Sequence, residues 1–207
     1  MAKIQPFEEF TQEYEDWFTK NNNIYQSELN AIKEFILSNK DGIEIGIGAG
    51  KFAIPLGIKT GIDPSPKMAE MARNKGLEVV EAVAEDLPFE DEKFDFALMV
   101  TAICFFDDVQ QAFKEAYRVL KPDGFIVIGL IDKNSELGRI YEKNKAKSKF
   151  YNEASFHSVD EISEYLKNAG FKEFKYKQTI FTPENIVQDV QDGYGEGSFV
   201  AIKAVKI

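Results

Sequence analysis

The stretch GIEIGIGAGKFAIPLGIKTGIDPS, residues 42–65, limits what this chain can become more than any other. Two apolar runs flank a turn built on Gly46, Gly48 and Gly50, and the second run ends in Asp63. Glycines so closely spaced favour neither helix nor strand, but they let the backbone take positive φ and approach a ligand. The unit reads as strand, glycine turn, short helix, strand and acid. Such a unit opens a parallel sheet whose ligand lies beyond the C-terminal edges of the strands, where strand order reverses.

The rest of the chain continues the alternation. Strands are expected at 42–48, 58–63, 77–84, 94–100 and 125–131. A helix over 64–76 has proline at its start and glycine at its end. A second amphipathic helix carries Val109, Ala112, Phe113, Ala116, Val119 and Leu120 and is stopped by Pro122 and Gly124. Residues 158–171 form a helix capped by Ser158, with Glu161 three residues on. Residues 171–181 and 198–207 alternate as antiparallel strands, joined by an Asp- and Gly-rich connection, 189–197. The expected fold is α/β: a three-layer sandwich around a mostly parallel seven-stranded sheet with an antiparallel C-terminal strand. It is one domain of four parts. Residues 1–38 are a helical lid, with 7–38 helical except where KNNN breaks the period. Residues 40–131 are the ligand-binding core. Residues 132–157 are polar and weakly periodic, an insertion capping the substrate side, and 158–207 complete the sheet.

Composition narrows the function. With 44% hydrophobic residues, 207 residues bury a sizeable core. The formal net charge of −10 argues against a nucleic-acid partner, which needs a basic face, and favours a small cationic one. No long apolar run suggests a membrane partner, and MAKIQPFEEF has no signal-peptide character. One cysteine, Cys104, excludes an intrachain disulfide and fits a reducing, cytoplasmic setting. One histidine and one cysteine build no usual metal site, so no metal is expected. Nothing in the pattern speaks to oligomeric state.

A dinucleotide pattern, G-x-G-x-x-G/A, is present as Gly48, Gly50 and Ala53. Its ribose-binding acid should follow after about 20 residues. Asp63 follows Gly48 by 15, and Glu44 stands in a strand that is usually apolar in such proteins. GAGK lacks the length and the hydroxyl of a P-loop.

IEIGIGAG resembles the E/D-x-G-x-G-x-G motif of class I S-adenosylmethionine-dependent methyltransferases. GIDPSPKMAEMAR resembles their second motif, and AEDLPFEDEKFDFALMVTAICFFDDVQQAFKEAYRVLKPDGFIVIG resembles the remainder of the small-molecule branch. The resemblance implies S-adenosylmethionine as cofactor, S-adenosylhomocysteine as product and a small-molecule methyl acceptor; the charge and the aromatic residues lean toward an amine, with carboxylates, phenols and quinone precursors open. It implies cofactor contacts from Glu44, Ile45, Gly46, Gly48, Gly50, Asp63, Pro64, Met68, Ala84, Glu85, Asp86 and Thr101. Asp63 is either the acceptor of the ribose hydroxyls or a helix cap before Pro64. Glu44 either meets the cofactor's ammonium or braces the loop. Met68 packs on adenine or in the core, and Thr101 bonds the methionine tail or ends its strand. Relatives often carry aspartate where this chain has Val83, so an acidic contact to adenine falls to Glu85 or Asp86, or is absent. Tyr14, Trp17, Tyr25 and Phe105 are candidates for the acceptor pocket. His157 and Tyr14 are candidates for a base. Cys104 reads as an apolar residue near the pocket, not a nucleophile. The competing reading is a regulator that binds the cofactor without turnover.

Overall fold

The computed structural model describes residues 3–36 and 40–207. Three helices come first: α1 (Gln5–Glu9), α2 (Thr11–Lys20) and α3 (Asn22–Lys33). The predicted break falls at Asn21, whose backbone N–H and side-chain amide both donate to the Trp17 carbonyl. The end of the predicted helical stretch, 37–38, lies outside the described residues.

The core then runs β1 (Gly42–Ile45), α4 (Ala53–Leu56), β2 (Thr60–Ile62), α5 (Pro66–Asn74), β3 (Glu78–Val80), β4 (Phe94–Val100), α6 (Val109–Val119) and β5 (Leu120–Ile131). It closes with α7 (Glu136–Asn144), α8 (Val159–Asn168), β6 (Phe171–Thr179), β7 (Gln191–Asp192) and β8 (Phe199–Lys206). Among the described residues the sheet has eight strands in the order β3-β2-β1-β4-β5-β8-β6-β7. Strands β1 to β5 are mutually parallel, and β8 runs antiparallel to both β5 and β6. The strand beyond the expected seven is β7, two residues inside the Asp- and Gly-rich connection.

Period-2 alternation explains the layers. Ala97 and Met99 of β4 face α6 and α8, packing with Phe113, Val119, Ile162 and Leu166. Phe96, Leu98 and Val100 face the other side, with Ile32 of α3 and Ala69 and Ala72 of α5. Two expectations shift. Strand β5 starts at Leu120, paired with Phe94, and resumes after a bulge at Phe125, paired with Phe96; Pro122 and Gly124 lie in that bulge. The 132–157 segment holds a true helix, α7, capped where Ser135 Oγ accepts from the Gly138 N–H. Its cavity-facing positions, Leu137, Ile140, Tyr141 and Asn144, share one helix face.

Candidate active site

Strand order reverses between β1 and β4, and a cavity of about 740 Å³ opens there, inside the range of about 300–1,000 Å³ usual for ligand pockets. Its floor is the loops that follow β1, β2, β3 and β4. Its roof is α1, α2 and α3 on one side and α7 with Tyr151 on the other. Gly46, φ +78°, lies where the floor loops meet: a Cβ there would sit 2.6 Å from the Ala102 Cβ. Gly48, φ +52°, lies under the lid, and its missing Cβ would come within 3.4 Å of the Tyr14 hydroxyl. Gly50 does not line this cavity; a Cβ on it would lie 2.4 Å from the Leu77 Cδ1 instead.

Asp63 follows β2 and is 8% exposed at the cavity wall. Oδ2 accepts from the Gly48 N–H at 2.8 Å and Oδ1 from the Ser65 N–H at 2.9 Å. The cap of α5 is Ser65, whose Oγ accepts from the Met68 N–H. Burial pushes the Asp63 carboxyl up to about 6, against those two bonds, which pull it down. A carboxylate has about four lone-pair sites. One on each oxygen is still free for a diol. Gly46, Gly48, Phe52, Ile62 and Met68 line the same cavity, and the bonds Asp63 accepts come from backbone N–H groups. That donor set fits a ribose without a phosphate and suits S-adenosylmethionine.

Glu44 on β1 is 2% exposed and does not line the cavity. It accepts the Ala53 N–H and so holds the far end of the glycine turn. Its Oε2 is buried with no partner among the described residues, and burial raises its pKa well above the usual range. Ile45 is wholly buried in the core on the α6 side.

Pro64, Met68, Val83, Ala84 and Glu85 continue the wall. Met68 is 1% exposed there, between core and cavity. Glu85 Oε1 accepts from the Asp107 and Asp108 N–H groups at 2.8 and 3.1 Å, tying the loop after β3 to the loop after β4. Asp86 is exposed and lies outside the cavity. Thr101 lines it with φ +50°, its N–H donating to the Gly129 carbonyl at 2.8 Å. The Cys104 thiol turns away and donates to the Thr101 carbonyl; burial pushes it up to about 12, so it is no thiolate.

Tyr14, Trp17 and Phe105 all reach the cavity. Tyr25 does not: its hydroxyl donates to the Lys51 carbonyl at 2.6 Å and pins α3 behind the glycine turn. His157 also lies outside. Its Nε2 is buried without a partner among the described residues, and burial lowers its pKa, so the ring is neutral and remote. The Tyr14 phenol is driven far up by burial, then by the charges of Asp63, Glu44, Glu15 and Glu28; it cannot ionise at neutral pH.

Three contributors escaped the sequence. Tyr141 and Tyr151 stack at 5.4 Å, and Phe105 stacks on Tyr151 at 6.0 Å. Glu28, from α3, joins them at the cavity. Leu137, Ile140, Tyr141 and Asn144 all line it, at the i, i+3, i+4, i+7 spacing of one helix face, a signal that was present in the sequence.

Fold and cavity together define a Rossmann-like binder of a phosphate-free nucleoside cofactor. A methyltransferase domain family matches residues 43–128. The demethylmenaquinone methyltransferase of Chlorobaculum tepidum is 33% identical over 165 residues, 67% of this chain and 68% of its own. An uncharacterized protein of Methanocaldococcus jannaschii is 48% identical over 203 residues, 97% of this chain and 98% of its own. A SAM-dependent methyltransferase crystal structure from Thermotoga maritima, described as a possible histamine N-methyltransferase, matches with a TM-score of 0.95 at 50% identity, covering 99% of this chain and 100% of its own. The chain belongs to the class I S-adenosylmethionine-dependent methyltransferases, and its cofactor is S-adenosylmethionine. No helix among the described residues is long and apolar enough to cross a membrane.

Proposed function

We propose that the enzyme methylates a small amine held between the lid and the cap. The carrying observation is the character of the cavity: aromatic faces from Tyr14, Phe105, Tyr141 and Tyr151, with the acids Glu28 and Asp63 in the same lining. Aromatic faces and negative charge both favour a cation. The Thermotoga relative, described as a possible histamine N-methyltransferase, supports the same class of acceptor.

The bound cofactor supplies an activated methyl group and its leaving group. This chain's residues bind and orient. Asp63 takes the ribose hydroxyls, Met68 and Ala84 flank the base, and Tyr14 closes over Gly48. The aromatic roof excludes water. No described side chain at the cavity is a thiolate, phenolate or imidazole base, so attack is by the acceptor nitrogen's lone pair after its ammonium proton has passed to a carboxylate of the lining or to water.

A quinol acceptor is the second reading, favoured by the demethylmenaquinone methyltransferase relative. A phenolate would be brought beside the Asp63 carboxylate, which argues against it. An acceptor screen reading out S-adenosylhomocysteine, with primary amines, imidazoles, phenols and quinols in parallel, tests the proposal. Turnover of quinols with none of the amines overturns it, and no turnover with any acceptor favours a cofactor-binding regulator.

A further inference from the structure

Of the acids described at the cavity, Asp63 and Glu85 accept backbone N–H groups and Glu13 pairs with Lys149 at 2.9 Å, whereas Glu28 takes no part in the cofactor reading or the loop contacts. It stands one helical turn after Ile24 on α3, and both line the cavity. It is 5% exposed. No described residue donates a hydrogen bond or forms an ion pair to its carboxyl, and burial is the sole cause acting on its titration. Asp63, by contrast, is held by two N–H groups.

The groups that face it are known. Its charge acts on Tyr14 from α2, Tyr25 from α3, Tyr141 from α7 and Tyr151 from the cap. All are neutral phenols. Lys3, Lys20, Lys147 and Glu13 line the same cavity, but none registers on Glu28. A buried carboxyl without a donor is costly. No described residue offsets this cost, so the complement comes from what fills the cavity, water in the free protein and a ligand in the complex. The flanking rings define that ligand further, since a cation over a desolvated aromatic face gains more than a neutral donor does.

We propose that Glu28 recognises the methyl acceptor, its carboxylate pairing with the ammonium of a small amine whose apolar body lies against Tyr141 and Tyr151. This rests on the amine reading above and assigns the residue that carries it. It has a signature that a packing role lacks. Burial pushes the free carboxyl up to about 8, so at pH 7 it mostly holds its proton. Pairing with an ammonium fixes the ionised form, and the carboxyl proton leaves to buffer. Amine binding therefore releases about one proton per site.

The test is calorimetry on the protein loaded with S-adenosylhomocysteine, at pH 7, in two buffers of different ionisation enthalpy. The probes are histamine, 2-phenylethylamine and the neutral 2-phenylethanol. The expected result is amine binding with release of about one proton in the parent. In Glu28→Gln, amine affinity falls on the order of 10- to 100-fold and proton release disappears, while 2-phenylethanol is unaffected. Glu28→Asp keeps the carboxyl, and with it the proton release; it serves also if the glutamine variant does not fold, as judged by circular dichroism. Equal amine affinity and equal proton release in parent and Glu28→Gln overturn the role of Glu28 and leave the amine reading standing. If 2-phenylethanol binds the parent as well as the amines do, or no amine binds, both fall.

Discussion

Replacing Glu28 by glutamine should make the ligand-free protein more stable, by an amount that grows with pH. In the unfolded chain the carboxyl titrates near 4.5, and in the folded protein near 8. Between those values the folded state binds the proton and the unfolded state does not. Stability therefore falls as pH rises, by about 1.36 kcal/mol per unit. Below pH 4.5 the group costs nothing by this route. At pH 7 the cost is about 3 kcal/mol, and above pH 8 it levels off at about 5 kcal/mol. Glutamine is neutral throughout and presents a similar buried polar group. The gain of Glu28→Gln over the parent should be near zero at pH 4.5 and about 3 kcal/mol at pH 7. For a chain of this size that is roughly 6–12 °C in Tm. Asp63 titrates in the same window, but it is present in both proteins and cancels. Thermal unfolding by circular dichroism from pH 4.5 to 9, with urea titrations at pH 5 and 8, reads the difference. Two parallel stability curves would refute the reasoning, since they would mean that Glu28 is solvated or already paired.

The other predictions concern the cavity walls. Asp63→Asn presents one oxygen where two N–H groups converge, so S-adenosylhomocysteine binding should weaken by about 1.5–3 kcal/mol in calorimetry; parent-like affinity would place the ribose partner elsewhere. Tyr14→Phe should leave the pH profile of turnover unchanged, because the phenol does not ionise in the assay range. Tyr14→Ala should raise the acceptor KM more than the S-adenosylhomocysteine Kd, by opening the roof over Gly48; the reverse pattern would make Tyr14 a cofactor clamp. Cys104→Ala should keep kcat, and iodoacetamide should label Cys104 only after unfolding; fast labelling of the native protein would contradict a thiol held up to about 12 by burial.

The sequence by itself determined most of the elements and put the glycine turn and Asp63 at the strand ends where the cavity opens. Periodicity along a strand or a helix is local, so β4 appears at 94–100 as expected, and Ser158 with Glu161 forms the predicted capping box at the start of α8. The glycine turn and Asp63 were legible for the same reason: the backbone geometry that they serve lies within one strand-turn-strand unit. Only the tertiary structure decided the acceptor end. Glu28 in QSELNAIKEF has the look of a solvated position on a helix. It becomes a buried acid with no hydrogen-bond partner among the described residues, at a cavity that Tyr14, Tyr141 and Tyr151 line from three other places in the chain. The same closure sorted the aromatic candidates, turning Tyr14 and Trp17 into the cavity and Tyr25 onto the Lys51 carbonyl. It also set His157 apart from the site. The environment of a side chain is the sum of everything packed around it, and a sequence window contains only its neighbours along the chain.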